Sequence, residues 1–328
     1  MKRVTIEDVA KVAGVSRQTV SRAINNKPDI SEETRSRVME AVETLDYRPN
    51  RVARSMVTNR TNTVGFIIPD ITNPFFPEVA RGIQDAAKQM DYNVLFSNTD
   101  DSAQAEIDTL YSLAAQGVDG IMMFGNSSNE GALRLFADNY RPLLFVNRLF
   151  EHKNANCLLV DNERGAKLAI SHLIGKGHQH IAMLTPENIS LSQIRRGSGY
   201  QTTINEHGLE TIIRGGQPTL LGGYAAAKQL LQEDERVSAV FTYNDLMAIG
   251  AIRACRDLGK RVPEDVAIIG FDDIDLATMV SPSLSSIRVD KYALGQKMMS
   301  MLTNMIQNPD KSFAITHFDI KLVVREST

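Results

Sequence analysis

The sequence predicts two folds in one chain: an all-α helix-turn-helix headpiece, then an α/β body of two doubly wound, parallel-sheet subdomains. Three observations carry this expectation. Short helical patterns fill residues 1–47, and the first two are separated only by Gly14-Val15. From Thr63 onward, short apolar runs alternate with helix-length segments, the signature of parallel sheets covered by helices. The alternation then continues to the end of the 328 residues, too long a stretch for one sheet and one core.

In the headpiece, Thr5 is a helix cap with Asp8 three residues later, and Ile6, Val9, Ala10, Val12 and Ala13 follow at near-helical spacing. Gly14 supplies the left-handed turn position. Ser16 caps a second helix that buries Val20, Ala23 and Ile24 and exposes Arg17, Gln18 and Arg22. Ser31 opens a third helix, with Glu32 and Glu33 in its first turn, that runs to about Leu45 and buries Val38, Ala41, Val42 and Leu45.

Two helices across a tight glycine turn form the skeleton in which the second enters the DNA major groove. Arg pairs with guanine and Gln with adenine through two hydrogen bonds, each good pair giving ~1–3 kcal/mol of discrimination. The hydroxyls of Thr5, Ser16, Thr19 and Ser21 suit phosphate contacts, which fix register, and Asn25, which closes the segment, is expected on the DNA with them. On an unrelated helix the same residues would be a solvated face; the turn favours DNA.

Composition agrees. Apolar residues make up 43% and charged ones 23%, which excludes a disordered chain. Residues 1–60 hold 12 Lys/Arg and 8 Asp/Glu, a net +4, so the remainder carries −7 of the chain's −3. A basic head on an acidic body points to nucleic acid for the head alone. No apolar run approaches the roughly 18 residues of a membrane span. The first residues place acids where a signal peptide needs an apolar core, so a cytoplasmic protein is expected. Cys157 and Cys255 fit no metal spacing and are expected as buried thiols.

The segments Thr5-Ile6-Glu7-Asp8-Val9-Ala10, Gly14-Val15-Ser16, Thr19-Val20-Ser21-Arg22 and Tyr47-Arg48-Pro49-Asn50 resemble the headpiece of the LacI/GalR family of bacterial repressors. The resemblance implies that Arg17, Gln18 and Arg22 touch base edges. It also implies a domain plan of 1–47 headpiece, 48–61 hinge and 62–328 effector-binding and dimerisation domain. The hinge would carry a short helix, Arg51 to Val57, capped by Asn50, with Asn50, Ala53 and Met56 expected on the DNA. About seven residues are too few for a helix alone, so it is expected to fold when two copies meet on DNA. Met56 stands where the family usually places a leucine wedge in the minor groove.

In the body, Val64 to Ile68, Val94 to Phe96, Gly120 to Phe124 and Leu143 to Val146 read as buried strands, as do Ile181 to Leu184, Val237 to Thr242 and Val266 to Phe271. Helices are expected over Glu78 to Met90, Ala103 to Gln116, Arg164 to Gly175 and Asp245 to Leu258. A break after the fourth strand separates two subdomains. Ligands of such folds bind beyond the carboxyl ends of strands. There lie Pro69 to Phe76 (with Asp70), Asn98 to Asp101, Asn147-Arg148, Arg195 to Tyr200, Asn244-Asp245 and Asp272-Asp273. These groups suit vicinal hydroxyls, and Phe75 or Phe76 can stack on a sugar face; Asn73 and Asp245 are equally suited to cap helices.

The resemblance extends to about residue 325 and adds the periplasmic sugar-binding-protein fold. It implies effector contacts at Asn147, Arg196, Asn244 and Asp272, with Arg148 and the Phe75-Phe76 loop contributing. Many relatives have an acid at the position of Asn147, and the aromatic platform some carry near Gln217-Pro218 is absent. No leucine heptads follow Val324-Arg325-Glu326, so a homodimer is expected rather than a tetramer.

Catalytic signals are weak. There is no GxxxxGK[ST] loop and no G-x-S-x-G elbow, and Gly125 to Gly131 lacks phosphate-cradle spacing. His178 and His180 share a strand face without a third ligand. Asp272-Asp273 could be an acid pair, but neighbours in a strand rarely aim at one bond, and hydroxyl binding explains them more simply. The expected function is therefore a non-enzymatic repressor of carbohydrate-metabolism genes. It would bind a palindromic double-stranded operator as a dimer, need no cofactor, and answer to a small sugar-like effector. A purine- or protein-responsive regulator, or a sugar-binding or hydrolytic protein, stays open as an alternative.

Overall fold

A computed structural model describes residues 4–47, 60–125, 129–140, 142–187, 190–311 and 313–328. The chain forms two compact units, Met1–Thr61 and Asn62–Thr328.

The first unit contains α1 (Ile6–Ala13), α2 (Arg17–Ile24) and α3 (Glu32–Thr44). Thr5 and Asp8 form a reciprocal capping box at the start of α1, and Gly14 ends it at φ 65°, a conformation that suits glycine. Ser16 and Ser31 cap α2 and α3. Val9, Ala10, Ala13, Val20, Ala23, Val38 and Ala41 make the core, with Ile24, Val42 and Leu45 packed at its edge. The hinge residues Asn50, Ala53 and Met56 lie outside the described residues.

The second unit contains two six-stranded sheets. The first is built from β1 (Thr63–Ile68), β2 (Asn93–Asn98), β3 (Ile121–Phe124), β4 (Leu143–Val146), β5 (Ala155–Val160) and β11 (Thr316–Phe318). The second uses β6 (Ile181–Thr185), β7 (Ile212–Gly215), β8 (Ala239–Thr242), β9 (Ala267–Asp272), β10 (Ser285–Val289) and β12 (Ile320–Val323). The orders are β11-β5-β4-β3-β1-β2 and β12-β10-β9-β8-β6-β7. Pairing is parallel except between β10 and β12. The helices are α4 (Phe75–Gln89), α5 (Ala103–Ala115), α6 (Glu130–Asn139), α7 (Asn162–Gly175), α8 (Leu191–Glu206), α9 (Leu220–Glu233), α10 (Asp245–Asp257), α11 (Leu276–Met279) and α12 (Lys291–Gln307). The chain passes between the sheets at Asp161, Asp290 and Asp319.

Two expectations are corrected. The break falls after β5, not after the fourth strand: Ala155–Val160 pairs with Leu143–Val146, but its apolar run is interrupted by the polar Asn156, itself buried, which hid it. Arg195 to Tyr200 is not a loop at a strand end but the middle of α8. Gly197 and Gly199 weaken the helical signal there, and packing of α8 on α7 overrides it.

Candidate functional site

The headpiece presents one face of α2. Arg17, Gln18 and Arg22 are exposed, and among the described residues each of the two arginines pairs with a solvated carboxylate. Arg17 lies 3.9 Å from Glu7, and Arg22 pairs with Asp29. Such exposed pairs are worth ~0–1 kcal/mol, so a phosphate or base edge displaces them readily. The hydroxyls differ in availability. Thr5 directs its hydrogen to Asp8 Oδ2 at 2.7 Å, so it is committed to the cap. The Ser16 oxygen accepts from Thr19 N–H at 3.1 Å and lies 2.9 Å from the Thr19 hydroxyl, beside the positive N-terminus of α2. Ser21 is half-buried, and its carbonyl accepts from the Asn25 amide at 2.7 Å, so Asn25 closes the helix.

Sequence reasoning missed Arg35. Its guanidinium reaches from α3 to the end of α2, donating to the Ala23 carbonyl at 3.4 Å, to Asn26 Oδ1, and to the Lys27 carbonyl at 3.0 Å. It sets the angle at which α2 is presented. Arginine in an amphipathic helix reads as surface, so no pattern announced it.

In the second unit, the strand ends of both sheets enclose a cavity of about 100 Å³. One wall is aromatic. Phe75 and Phe76 open α4 and meet Phe124 of β3 edge-to-face, with ring centroids 5.2, 5.8 and 5.3 Å apart. Asp70 stands beside them, its Oδ1 accepting from the Thr72 N–H and hydroxyl at 2.8 and 2.7 Å. The opposite wall is polar, made by Arg196, Asn244 and Asp272 with Ser192, Tyr243 and Pro218.

Arg196 is buried inside α8. It donates from Nε to Asn162 Oδ1 at 2.8 Å and from Nη1 to the Tyr243 carbonyl. Nη2 lies 3.5 Å from Asp272 Oδ1, and the guanidinium is stacked 3.5 Å from the Phe271 ring centroid. Burial pushes the Asp272 carboxyl up to about 6, against the pull of Arg196 and Lys291 toward the charged form. Asn147, at φ 53°, accepts on Oδ1 from Val160 N–H at 2.9 Å and from the Asn162 amide at 3.3 Å. Asn162, which opens α7 just past the Asp161 crossing, therefore links Asn147 of one sheet to Arg196 of the other. It was not foreseen, because a buried amide at a helix start has no sequence signature.

Of the expected contacts, Asp70, Phe75, Phe76, Asn147, Arg196, Asn244 and Asp272 converge on the cavity. Arg148 does not line it. Its guanidinium is half-buried under the field of Glu106 and Glu130, with burial pulling its pKa down. Asn244 faces the cavity but is also the cap of α10, accepting from Met247 N–H at 2.9 Å and donating to the Pro218 carbonyl at 3.0 Å. Asp245, expected as a cap, is instead fully buried, accepting from Ile274 N–H and the Ser286 hydroxyl at 2.8 and 2.6 Å. Asn73 accepts from Phe75 N–H at 3.0 Å at the start of α4. The lining residues Ser192 and Tyr243 were not selected from sequence, since they fall in or beside helices whose depth only the fold reveals; Asp101, one of the strand-end candidates, does line the cavity. Among the described residues no group of three His, Cys, Asp or Glu side chains could hold a metal ion, and no helix is long and apolar enough to cross a membrane.

Residues 5–50 match the family described as bacterial regulatory proteins, lacI family, and residues 170–328 match the periplasmic binding protein-like domain. The chain is 36% identical over 329 residues to catabolite control protein A of Priestia megaterium, covering 99% of each. Its fold superposes on a lac repressor dimer bound to operator and the anti-inducer ONPF, with TM-score 0.90, 28% identity and 99% of each chain covered. It also resembles a LacI-family transcriptional regulator from Enterococcus faecium with bound ribose, with TM-score 0.74 and 30% identity over 81% of this chain and 98% of that one.

Proposed function

The chain belongs to the lacI family of bacterial regulatory proteins, and on that premise we propose a homodimeric repressor of carbohydrate-metabolism genes, cytoplasmic and without catalysis, whose grip on a palindromic operator is set by a small sugar-like effector. The DNA-binding regulator is the family's activity. Arg17, Gln18 and Arg22 are the proposed base-reading residues, with Ser16, Thr19 and Ser21 on phosphates.

The observation that carries the effector reading is the opposition of an aromatic wall to a hydrogen-bonding wall across one cavity. Rings stack on the C–H face of a sugar while carboxylate and amide groups take its hydroxyls. Charge narrows the class. Asp70, Asp101 and Asp272 line the cavity with Arg196 as their one cationic neighbour among the described lining residues, and Arg196 is already engaged. A phosphate would face carboxylates, so a neutral, hydroxyl-rich ligand is favoured. The ribose bound by the E. faecium relative is of that class. The cavity is smaller than the roughly 300–1,000 Å³ of ordinary ligand pockets, so the two subdomains part to admit an occupant, which gives the effector a closure equilibrium to bias.

A thermal-shift panel of neutral sugars, phosphosugars and nucleobases tests this. Stabilisation by a neutral sugar is expected; stabilisation by nucleobases or phosphosugars alone would overturn the effector class while leaving the regulator intact.

A further inference from the structure

Lys291 opens α12, one residue past the Asp290 crossing between the sheets, and is 4% exposed. Its ammonium nitrogen lies 2.7 Å from the Asp273 carbonyl, 3.1 Å from the Asp272 carbonyl and 3.3 Å from Glu78 Oε2. An ammonium has three donors, and here all three have an acceptor. Two of the acceptors lie where β9 ends in consecutive non-glycine residues of positive φ, 108° at Asp272 and 55° at Asp273. Such backbone persists only where its surroundings hold it. Lys291 holds both carbonyls.

The third acceptor belongs to the helix of the other wall. Glu78 sits two residues after Phe76 on α4, the helix that begins with the aromatic wall. Helices α4 and α12 cross with their backbones in contact: a Cβ on Gly82 would meet the Tyr292 carbonyl oxygen at 2.1 Å, and one on Gly295 would meet that of Val79 at 2.1 Å. They cannot slide past one another without separating.

Building on the reading of the cavity as the effector site, we infer that Lys291 is the positioning residue that couples its two walls. It holds the backbone carbonyls of Asp272 and Asp273, and so the strand end from which the Asp272 carboxylate projects, and through Glu78 ties that strand end to the helix that carries Phe75 and Phe76. An occupant that draws on Asp272 therefore moves α4 with it. Lys291 itself does not line the cavity.

The test needs neither effector nor DNA, so it stands apart from any failure of the effector class. Spin labels at Gln104 of α5 and Gln229 of α9, both exposed, report the spacing of the subdomains in the full-length protein by pulsed dipolar spectroscopy; the native cysteines are buried. Glu78→Ala removes only the ion pair between α4 and Lys291, from a side chain 40% exposed, and leaves the helix crossing in place, and Lys291→Met removes the carbonyl contacts as well. Both are expected to broaden the distance distribution and shift it to longer separations, Lys291→Met the more. Distributions that superimpose on the wild type in Glu78→Ala would overturn the coupling, and that variant decides the matter if Lys291→Met fails to fold.

Discussion

Two arginines show how differently the two units hold their function. Arg17 in the headpiece has a side chain 68% exposed, whereas Arg196 in the cleft has one 6% exposed. Arg17 belongs to a face that contributes nothing to the core, so the fold leaves its identity free for the base-reading role proposed above. Arg196 is bonded to Asn162 and Tyr243 and stacked on Phe271, so the same side chain that lines the cavity also holds the two strand ends together. Binding and stability are separable in the first unit and fused in the second.

The largest test of that contrast is Arg196→Met. It leaves Asp272 buried beside no guanidinium, which costs about 3–5 kcal/mol, and it removes any stabilisation by a cavity ligand. Denaturant unfolding measures the loss; a change below about 1 kcal/mol would break the contrast.

Next is pH. The folded Asp272 carboxyl titrates at about 6, against ~3.9 in an unfolded chain. Between those values the folded state holds the extra proton, so this group's contribution to stability is complete below pH 4, declines as pH rises to 6, and is gone above. The gap corresponds to roughly 3 kcal/mol. Asp272→Asn should flatten that part of the stability profile. Some slope should remain, because burial raises Asp245 in the same direction.

In the headpiece, Arg17→Ala should weaken binding to the preferred operator by ~1–3 kcal/mol, relax selection at one position of each half-site, and leave the melting temperature unchanged. A selection experiment on randomised operators checks it; an unaltered preference would place the reading face elsewhere. Smallest of all, Asp29→Asn frees Arg22 from an exposed ion pair and should tighten operator binding by less than ~1 kcal/mol, most visibly at low salt.

The same contrast explains what could be read from the chain alone. The headpiece was legible residue by residue, because caps and glycine turn are local: Thr5, Gly14, Ser16 and Ser31 each act within three or four positions. The strand cores Val64 to Ile68 and Leu143 to Val146 were legible as apolar runs. Edge strand Ile212–Gly215 was not, since alternate residues are half-exposed, nor was α8, with its polar sequence. In the cavity, residues at strand ends such as Asn147 and Asp272 could be found by position. Asn162, Tyr243 and Lys291 could not, because each matters through a partner distant in the sequence or through a backbone carbonyl, which no side-chain pattern encodes.

Whether the cavity governs the headpiece is read from the operator affinity of the full-length protein, measured with and without a saturating amount of the panel ligand that stabilises it. A change of roughly 5–150-fold is expected, matched by an equal change in ligand affinity on adding operator. A ligand that binds through Arg196 yet leaves operator affinity unaltered would show that the cavity does not govern the headpiece.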